Sequence, residues 1–171
     1  MASSSSEFPR RYDVFLSFRG DDTRRNIVSH LYAALDGNGI NTFKDNLKLE
    51  VGDHFSDELH RAIQDSNFAI VVLSENYASS SWCLTELQLI MESYTRGDIK
   101  VIPIFYGVDP SDVRKQLESF GLGRYQGQVT EDRVHGWKNA LQLVAGLSGV
   151  DSRNCAEEAM MVTNIVVDIS S

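Results

Sequence analysis

The stretch Phe68–Leu87, FAIVVLSENYASSSWCLTEL, decides the fold. Phe68 to Leu73 is the most apolar short run of the chain and reads as a strand. Ser79-Ser80-Ser81 then offer an N-cap to an amphipathic helix, Trp82–Tyr94, whose apolar side carries Leu87, Ile90, Met91 and Tyr94. At about 100° per residue, Glu86 falls between Trp82 and that stripe, at the border of the buried face and near the positive end of the helix. Leu89 and Ile90 stand three and four positions further on, so no lysine or arginine follows Glu86 at helical pairing distance. A carboxylate placed there is either a half-exposed solubility residue or a working group.

The same alternation extends in both directions. Tyr12–Phe18 reads as a first, interior strand. Asp22 or Thr23 can cap a following helix with Ile27, Leu31 and Leu35 on one side, and Gly37-Asn38-Gly39 ends it. Ile40–Phe43 is a short second strand, and the polar loop Lys44–Asp53 leads to a helix with Phe55, Leu59, Ala62 and Ile63 on one face. A fourth strand, Lys100–Phe105, carries Pro103, which suits a strand end, an edge or a bulge. Asp109-Pro110 starts a helix as cap and first-turn proline. Gly121, Gly123 and Gly127 keep any helix after Phe120 short, and Trp137–Val144 reads as helical up to Gly146 and Gly149. A last helix, about Ala156 to Ile169, has Ala159, Val162, Ile165, Val166 and Ile169 as its stripe, with Met161 and Val167 outside it for a partner.

Strands alternating with helices over short loops give an α/β fold, a parallel sheet covered on both faces with a flavodoxin-like layout. Ligands in such folds bind beyond the carboxyl ends of the strands. Here that crevice draws on Phe18–Thr23, Phe43–Gly52 and Ser74–Glu86.

Composition narrows the function classes. The 171 residues fit one domain with a core that needs no metal or disulfide. Cys83 and Cys155 lie far apart and form no CxxC, which disfavours a metal site and suits a reducing compartment. A net charge of −8 disfavours a nucleic-acid backbone as main ligand, and no apolar run reaches membrane-spanning length. Only Gly20 follows the first strand, so there is no dinucleotide GxGxxG, and no P-loop occurs. Asp21-Asp22 imitates the acidic pocket of a response-regulator receiver, but Leu73-Ser74 stands where that family places an aspartate.

Five blocks carry a better resemblance. YDVFLSFRGDDTR (Tyr12–Arg24), INTFKD (Ile40–Asp45), the loop reaching Gly52, AIVVLSENYASSSWCLTEL (Ala69–Leu87) and VIPIFYGVDPSDVRKQ (Val101–Gln116) resemble a plant Toll/interleukin-1 receptor (TIR) domain. The resemblance implies a five-stranded parallel sheet flanked by helices, with residues 1–11 as a polar tail and 12–169 as the TIR domain. It also implies a hydrolase that cleaves the nicotinamide–ribose bond of NAD, giving nicotinamide and linear or cyclised ADP-ribose signals in plant defence, the hypersensitive response and cell death. NAD is then a substrate, and no cofactor or metal is implied.

Glu86 matches the family's catalytic glutamate. A single carboxylate suits this reaction. Glycosidases use two because an alkoxide leaving group must be protonated. Nicotinamide leaves from a pyridinium cation and needs no general acid, so one carboxylate can stabilise the oxocarbenium charge or hold the ribose hydroxyls. The match assigns substrate contacts to Arg19, Gly20, Asp21, Asp22, Thr23 and Arg24, and to Phe43 and the mobile 44–53 loop with Gly52. Asp22 and Thr23 serve equally well as a helix cap with surface ion pairs. Trp82 and Cys83 complete the candidate substrate-binding set; Trp82 can stack on a ligand ring or fill the core. Cys83 is a candidate reactive thiol near a helix N-terminus, with a buried inert thiol as the plainer reading.

Self-association is the second implied property. Ser29-His30 matches the family's Ser-His pair where first and last helices meet a second copy, and the 44–53 loop reaches a neighbouring protomer. A homo-oligomer is expected, with other TIR proteins as further partners and the cytoplasm as location, the nucleus being an additional one. The stretch Leu122–Gln128 is glycine-rich where family members carry a charged helix, and Val51 stands where a basic residue is common. No nucleotide-binding or leucine-rich repeat region follows Ser171, so the expectation is a TIR-only immune signalling protein, with a truncated longer chain as the alternative. Two other functions compete: a non-catalytic TIR–TIR interaction module that does not need Glu86, and a nucleic-acid hydrolase releasing 2′,3′-cyclic nucleotides, which the acidic charge disfavours.

Overall fold

The computed structural model describes residues 11–20, 27–44, 57–154 and 158–170. Asp21, Asp22, Thr23, Arg24, Val51, Gly52, Phe55 and Cys155, the 45–53 part of the loop and the tail before Arg11 lie outside the described residues.

Five strands form one parallel sheet: β1 (Tyr12–Ser17), β2 (Thr42–Lys44), β3 (Ser66–Leu73), β4 (Lys100–Phe105) and β5 (Val150–Asp151), in the order β2-β1-β3-β4-β5. The helices are α1 (Ser29–Gly37), α2 (Asp57–Gln64), α3 (Ser81–Thr95), α4 (Pro110–Lys115), α5 (Glu131–Ala145) and α6 (Glu158–Ser170). The expected flavodoxin-like α/β fold is the one observed.

Period-two alternation along β1 divides the core into two layers. Val14 and Leu16 pack with Leu31 and Leu35 of α1 and with Val162 and Ile165 of α6. Phe15 packs on the opposite side with Leu59 of α2, Leu87 of α3, and Trp137 and Leu141 of α5. Ser17 shares the face of Phe15, two residues further on, and pairs in register with Val71 of β3. The chain winds outward in opposite directions from β1 and β3, so the carboxyl ends of these two strands mark the topological switch point.

Local chemistry explains the helix starts. Ser80 caps α3 by accepting from the Cys83 amide at 3.1 Å. Asp109 caps α4 by accepting from the Ser111 amide at 2.8 Å, with Pro110 in the first turn. Thr130 caps α5, which begins at Glu131 rather than near Trp137, because the polar residues of its opening turns give no apolar period to detect.

Three expectations change. Pro103 sits in an interior strand, paired with Val71 of β3; on the other side β5 reaches only Ile104 and Phe105, so position 103 still lies at an end of that ladder. Gly149 packs against it, and a Cβ there would fall 2.3 Å from the Pro103 carbonyl oxygen. In α6 the buried stripe is Met161, Val162, Ile165, Val166 and Ile169. Met161 is therefore core, Ala159 is exposed, and the outward apolar residues are Met160 and Val167, 62% and 57% exposed. Seven residues apart, Met160 and Val167 share one helix face, whereas Met161 is turned about 100° toward the sheet.

Candidate active site

Glu86 is wholly buried, not at the border of the buried face. The reason is the surroundings of α3, which packs against the sheet, α2 and α5 together, so its buried set widens to Cys83, Leu84, Glu86, Leu87, Ile90, Met91 and Ser93. A helix covered on three sides has a wider apolar face than one lying on a sheet alone. The half-exposed solubility reading of Glu86 is overturned.

The carboxylate meets the end of β1. Ser17 donates its hydroxyl proton to Glu86 Oε1. Ser17 Oγ also lies 2.8 Å from the Tyr77 hydroxyl, which is 3.2 Å from the Cys83 carbonyl oxygen. Tyr77 stands on a short 3-10 turn, Tyr77–Ser79, between β3 and α3. Ser17, Tyr77, Cys83 and Glu86 all have 0% exposure. The Cys83 thiol donates to the Phe18 carbonyl at 3.7 Å, which ties α3 to the residue after β1. Strand, turn and helix therefore converge on one carboxylate at the switch point.

A second layer supports the turn. The glycine-rich stretch forms a 3-10 turn, Gly123–Tyr125, preceded by another at Glu118–Phe120. Tyr125 donates to the Ala78 carbonyl at 2.8 Å, and Arg124 donates to Ser79 Oγ and to the Ser119 carbonyl. Burial raises the Tyr125 phenol above its ordinary value against the opposing pull of Arg124, so the phenol stays a donor at neutral pH.

The other expected site residues are placed as follows. Arg19 and Gly20 follow β1 and are half-buried. Trp82 is half-buried against the layer that holds α2, α3 and α5. Phe43 lies on the edge strand β2, stacked on Phe15 at 5.4 Å and edge-on to Tyr12 at 5.2 Å, so its ring is committed to packing. Ser29 and His30 are exposed at the start of α1, and His30 Nδ1 pairs with Glu158 Oε2 of α6 in the same chain. Tyr106 also reaches Glu158, at 3.4 Å. Along the same carboxyl edge of the sheet a cavity of about 480 Å³ is lined by Ser74, Glu75, Tyr106, Ser152 and Glu158.

Sequence reading did not single out Ser17, Tyr77 or Tyr125. Ser17 had a signal, because a polar residue on the core face of an interior strand must find a hydrogen-bond partner. Tyr77 and Tyr125 had none, since both sit in irregular stretches without period. Among the described residues no group of three or more His, Cys, Asp or Glu is placed to hold a metal, and no helix is long and apolar enough to cross a membrane.

The family model described as the TIR domain matches residues 11–171. The TMV resistance protein N of Nicotiana glutinosa is 50% identical over 175 residues, covering all of this chain and 15% of that protein. The disease resistance protein RPP4 of Arabidopsis thaliana is 46% identical, covering 99% of this chain and 15% of its own length. The chain thus spans about one seventh of the curated relatives it matches. Among solved structures, the TIR domains of the activated Roq1 resistosome, which directly recognises the pathogen effector XopQ, superpose with a TM-score of 0.82 at 46% identity, over 92% of this chain and 99% of that one. The heterodimer of the RPS4 and RRS1 TIR domains, at 24% identity and a TM-score of 0.58, shares the fold. By its sheet order, its sequence and its structural kinship, the chain belongs to the TIR domain family.

Proposed function

We propose that this domain is an NAD glycohydrolase of plant immune signalling and cell death, acting in the cytoplasm as a homo-oligomer, with Glu86 as the catalytic residue. The supporting observation is a carboxylate wholly buried at the switch point and oriented by a buried serine. In the reaction the bond between the ribose C1′ and the nicotinamide nitrogen breaks, and its electron pair neutralises the pyridinium ring. Positive charge develops on the ribose, which Glu86 stabilises electrostatically from a water-poor position. Water adds its oxygen to C1′ and releases a proton, giving nicotinamide and ADP-ribose; capture by an internal nucleophile gives a cyclised product instead.

Half-buried Arg19 and Gly20, just past β1, are proposed to meet a diphosphate, the first by charge and the second by close backbone approach. Residues 21–24, Gly52 and the rest of the 45–53 loop are proposed as further contacts. Zero exposure of Glu86 in the single protomer supports a site opened or completed by a neighbouring copy, and the exposed Met160 and Val167 give α6 an outward apolar face for such packing.

The test compares NAD loss for the wild type and Glu86→Ala at matched oligomeric state. The variant should lose at least about 10²-fold in rate, the scale of removing a transition-state charge stabiliser. Equal rates in the two, or no NAD loss by the assembled wild type, would sink the enzyme reading and leave a TIR–TIR interaction module. Wild-type activity should also rise more steeply than linearly with protein concentration.

A further inference from the structure

We infer that Ser17 and Tyr77 are positioning residues for Glu86, forming a hydroxyl relay in which Ser17 aims its proton at one carboxylate oxygen and Tyr77 orients Ser17. This rests on the reading of Glu86 as the working carboxylate. Three contacts link the four residues: Ser17 to Glu86, Ser17 to Tyr77, and Tyr77 to the Cys83 carbonyl. Serine and tyrosine bring one hydroxyl proton each, so two protons serve three contacts. The geometry selects their direction. Ser17 is committed to Glu86, so the proton in the 2.8 Å contact is Tyr77's, the same proton that Tyr77 donates at 3.2 Å to the Cys83 carbonyl. Tyr77 therefore shares its proton between Ser17 Oγ and the Cys83 carbonyl, the shorter contact taking the larger part, and Ser17 donates to Glu86. Hydrogen bonds in such a chain polarise one another, and the low local dielectric strengthens them.

The relay is anchored at three points that do not move together easily. Ser17 belongs to β1 and is held in register against β3. Tyr77 belongs to the turn on which the Gly123–Tyr125 stretch docks through Tyr125 and Arg124. Glu86 lies about one and a half turns beyond the capped start of α3. Buried polar groups of this kind cost stability relative to an apolar core, so their presence at a ligand crevice points to orientation of the acid. The glycine-rich Leu122–Gln128 stretch thereby gains a role: through Tyr125 it buttresses the turn that carries the relay.

The test uses Ser17→Ala, Ser17→Thr, Tyr77→Phe and the double variant Ser17→Ala/Tyr77→Phe, each confirmed as folded by thermal unfolding and assembled like the wild type. Ser17→Ala should lower kcat about 10–100-fold, the scale of misplacing a reacting group, with KM within about twofold of wild type. Tyr77→Phe should lower kcat about 3–10-fold, the worth of one hydrogen bond acting through another. Because Tyr77 acts through Ser17, the double variant should be no slower than Ser17→Ala alone. Ser17→Thr restores the hydroxyl and should recover most of the rate. Additive losses, a change confined to KM, or an undiminished kcat in folded Ser17→Ala would overturn the assignment. A second readout does not need turnover. In protein labelled at glutamate carboxyl carbons, the resonance assigned through Glu86→Gln should move in Ser17→Ala and move less in Tyr77→Phe. If the assembled wild type leaves NAD intact while this resonance moves as stated, the NAD reading fails and the relay stands. If the resonance stays in place in both variants, the relay fails whatever becomes of NAD.

Discussion

The carboxyl edge of the sheet solves the problem of placing acids in two opposite ways. At the β1–β3 end, Glu86 is buried on a relay of hydroxyls. At the β4–β5 end, Asp109 and Asp151 converge on Arg153, with Arg153 contacts of 3.0 and 3.1 Å to Asp151 and 3.7 Å to Asp109. Asp109 and Arg153 are about half exposed, while Asp151 keeps only 14% of its side chain in water. Water screens the second cluster, so its charges act mainly as a local clamp. The first works where water is excluded, so each proton in it has a fixed direction and each deletion is felt. The contrast sets a buried, ordered carboxylate at one end of the edge and a screened, local clamp at the other.

The largest test of that division is Ser17→Ala/Tyr77→Phe/Glu86→Leu. Replacing a whole buried polar network with apolar groups of similar shape is often neutral or stabilising, whereas removing one member strands its partners. The triple variant should lose NAD cleavage to background. In urea, its unfolding free energy should be at least that of the wild type, by up to about 2 kcal/mol. A clear drop in that free energy would mean that the network specifies the fold instead of serving the site.

Two glycines give intermediate effects of opposite kind. A Cβ at Gly149 would meet the carbonyl oxygen of Pro103 at 2.3 Å and its ring at 2.5 Å, neither of which can rotate away. Gly149→Ala should cost about 1–3 kcal/mol and loosen the attachment of the two-residue strand β5. A Cβ at Gly136 in α5 would meet the side-chain tip of Gln88 at 2.5 Å, which can swing aside. Gly136→Ala should come out near neutral, because the relief of about 1 kcal/mol from removing a mid-helix glycine offsets the adjustment. Thermal melts of both variants under one condition check the pair.

What could be read from residues alone follows the same physical line. β1, β3, α3 and α6 were legible because their apolar residues recur with a strand or helix period, and α4 because Asp109-Pro110 is a cap signature. β5 was not, since two residues have no period; only the family resemblance supplied a fifth strand. The last helix was found with its stripe misphased near its start, where Met160 and Met161 are equally apolar and only packing against α1 decides which turns inward. Glu86 was legible as an oddity on a helix but not as a buried group, because burial from α5 comes from residues far away in sequence. Ser17 was hidden inside an apolar strand, and Tyr77 inside a run that reads as loop.

The smallest effect belongs to the screened cluster, and its sign follows from its carboxylates. Asp151 is held below the usual carboxylate value chiefly by its hydrogen bond from Arg153, and Asp109 chiefly by the Ser111 amide that it caps, with Arg153 a lesser cause. A carboxylate lowered in the folded state contributes stability above its unfolded value, near 4, and loses it as pH falls through the folded value. Arg153→Ala should therefore melt slightly below wild type at pH 7, with the gap closing as pH falls below about 4. The closure reports mainly Asp151, because the cap at Asp109 survives the substitution. Asp109→Asn separates the two: it keeps a capping oxygen but removes the charge, so it should leave the pH dependence of the Arg153→Ala gap nearly intact. If Asp109→Asn instead abolished that dependence, the clamp would run through α4, and the two ends of the sheet edge would be less separate than their burial suggests.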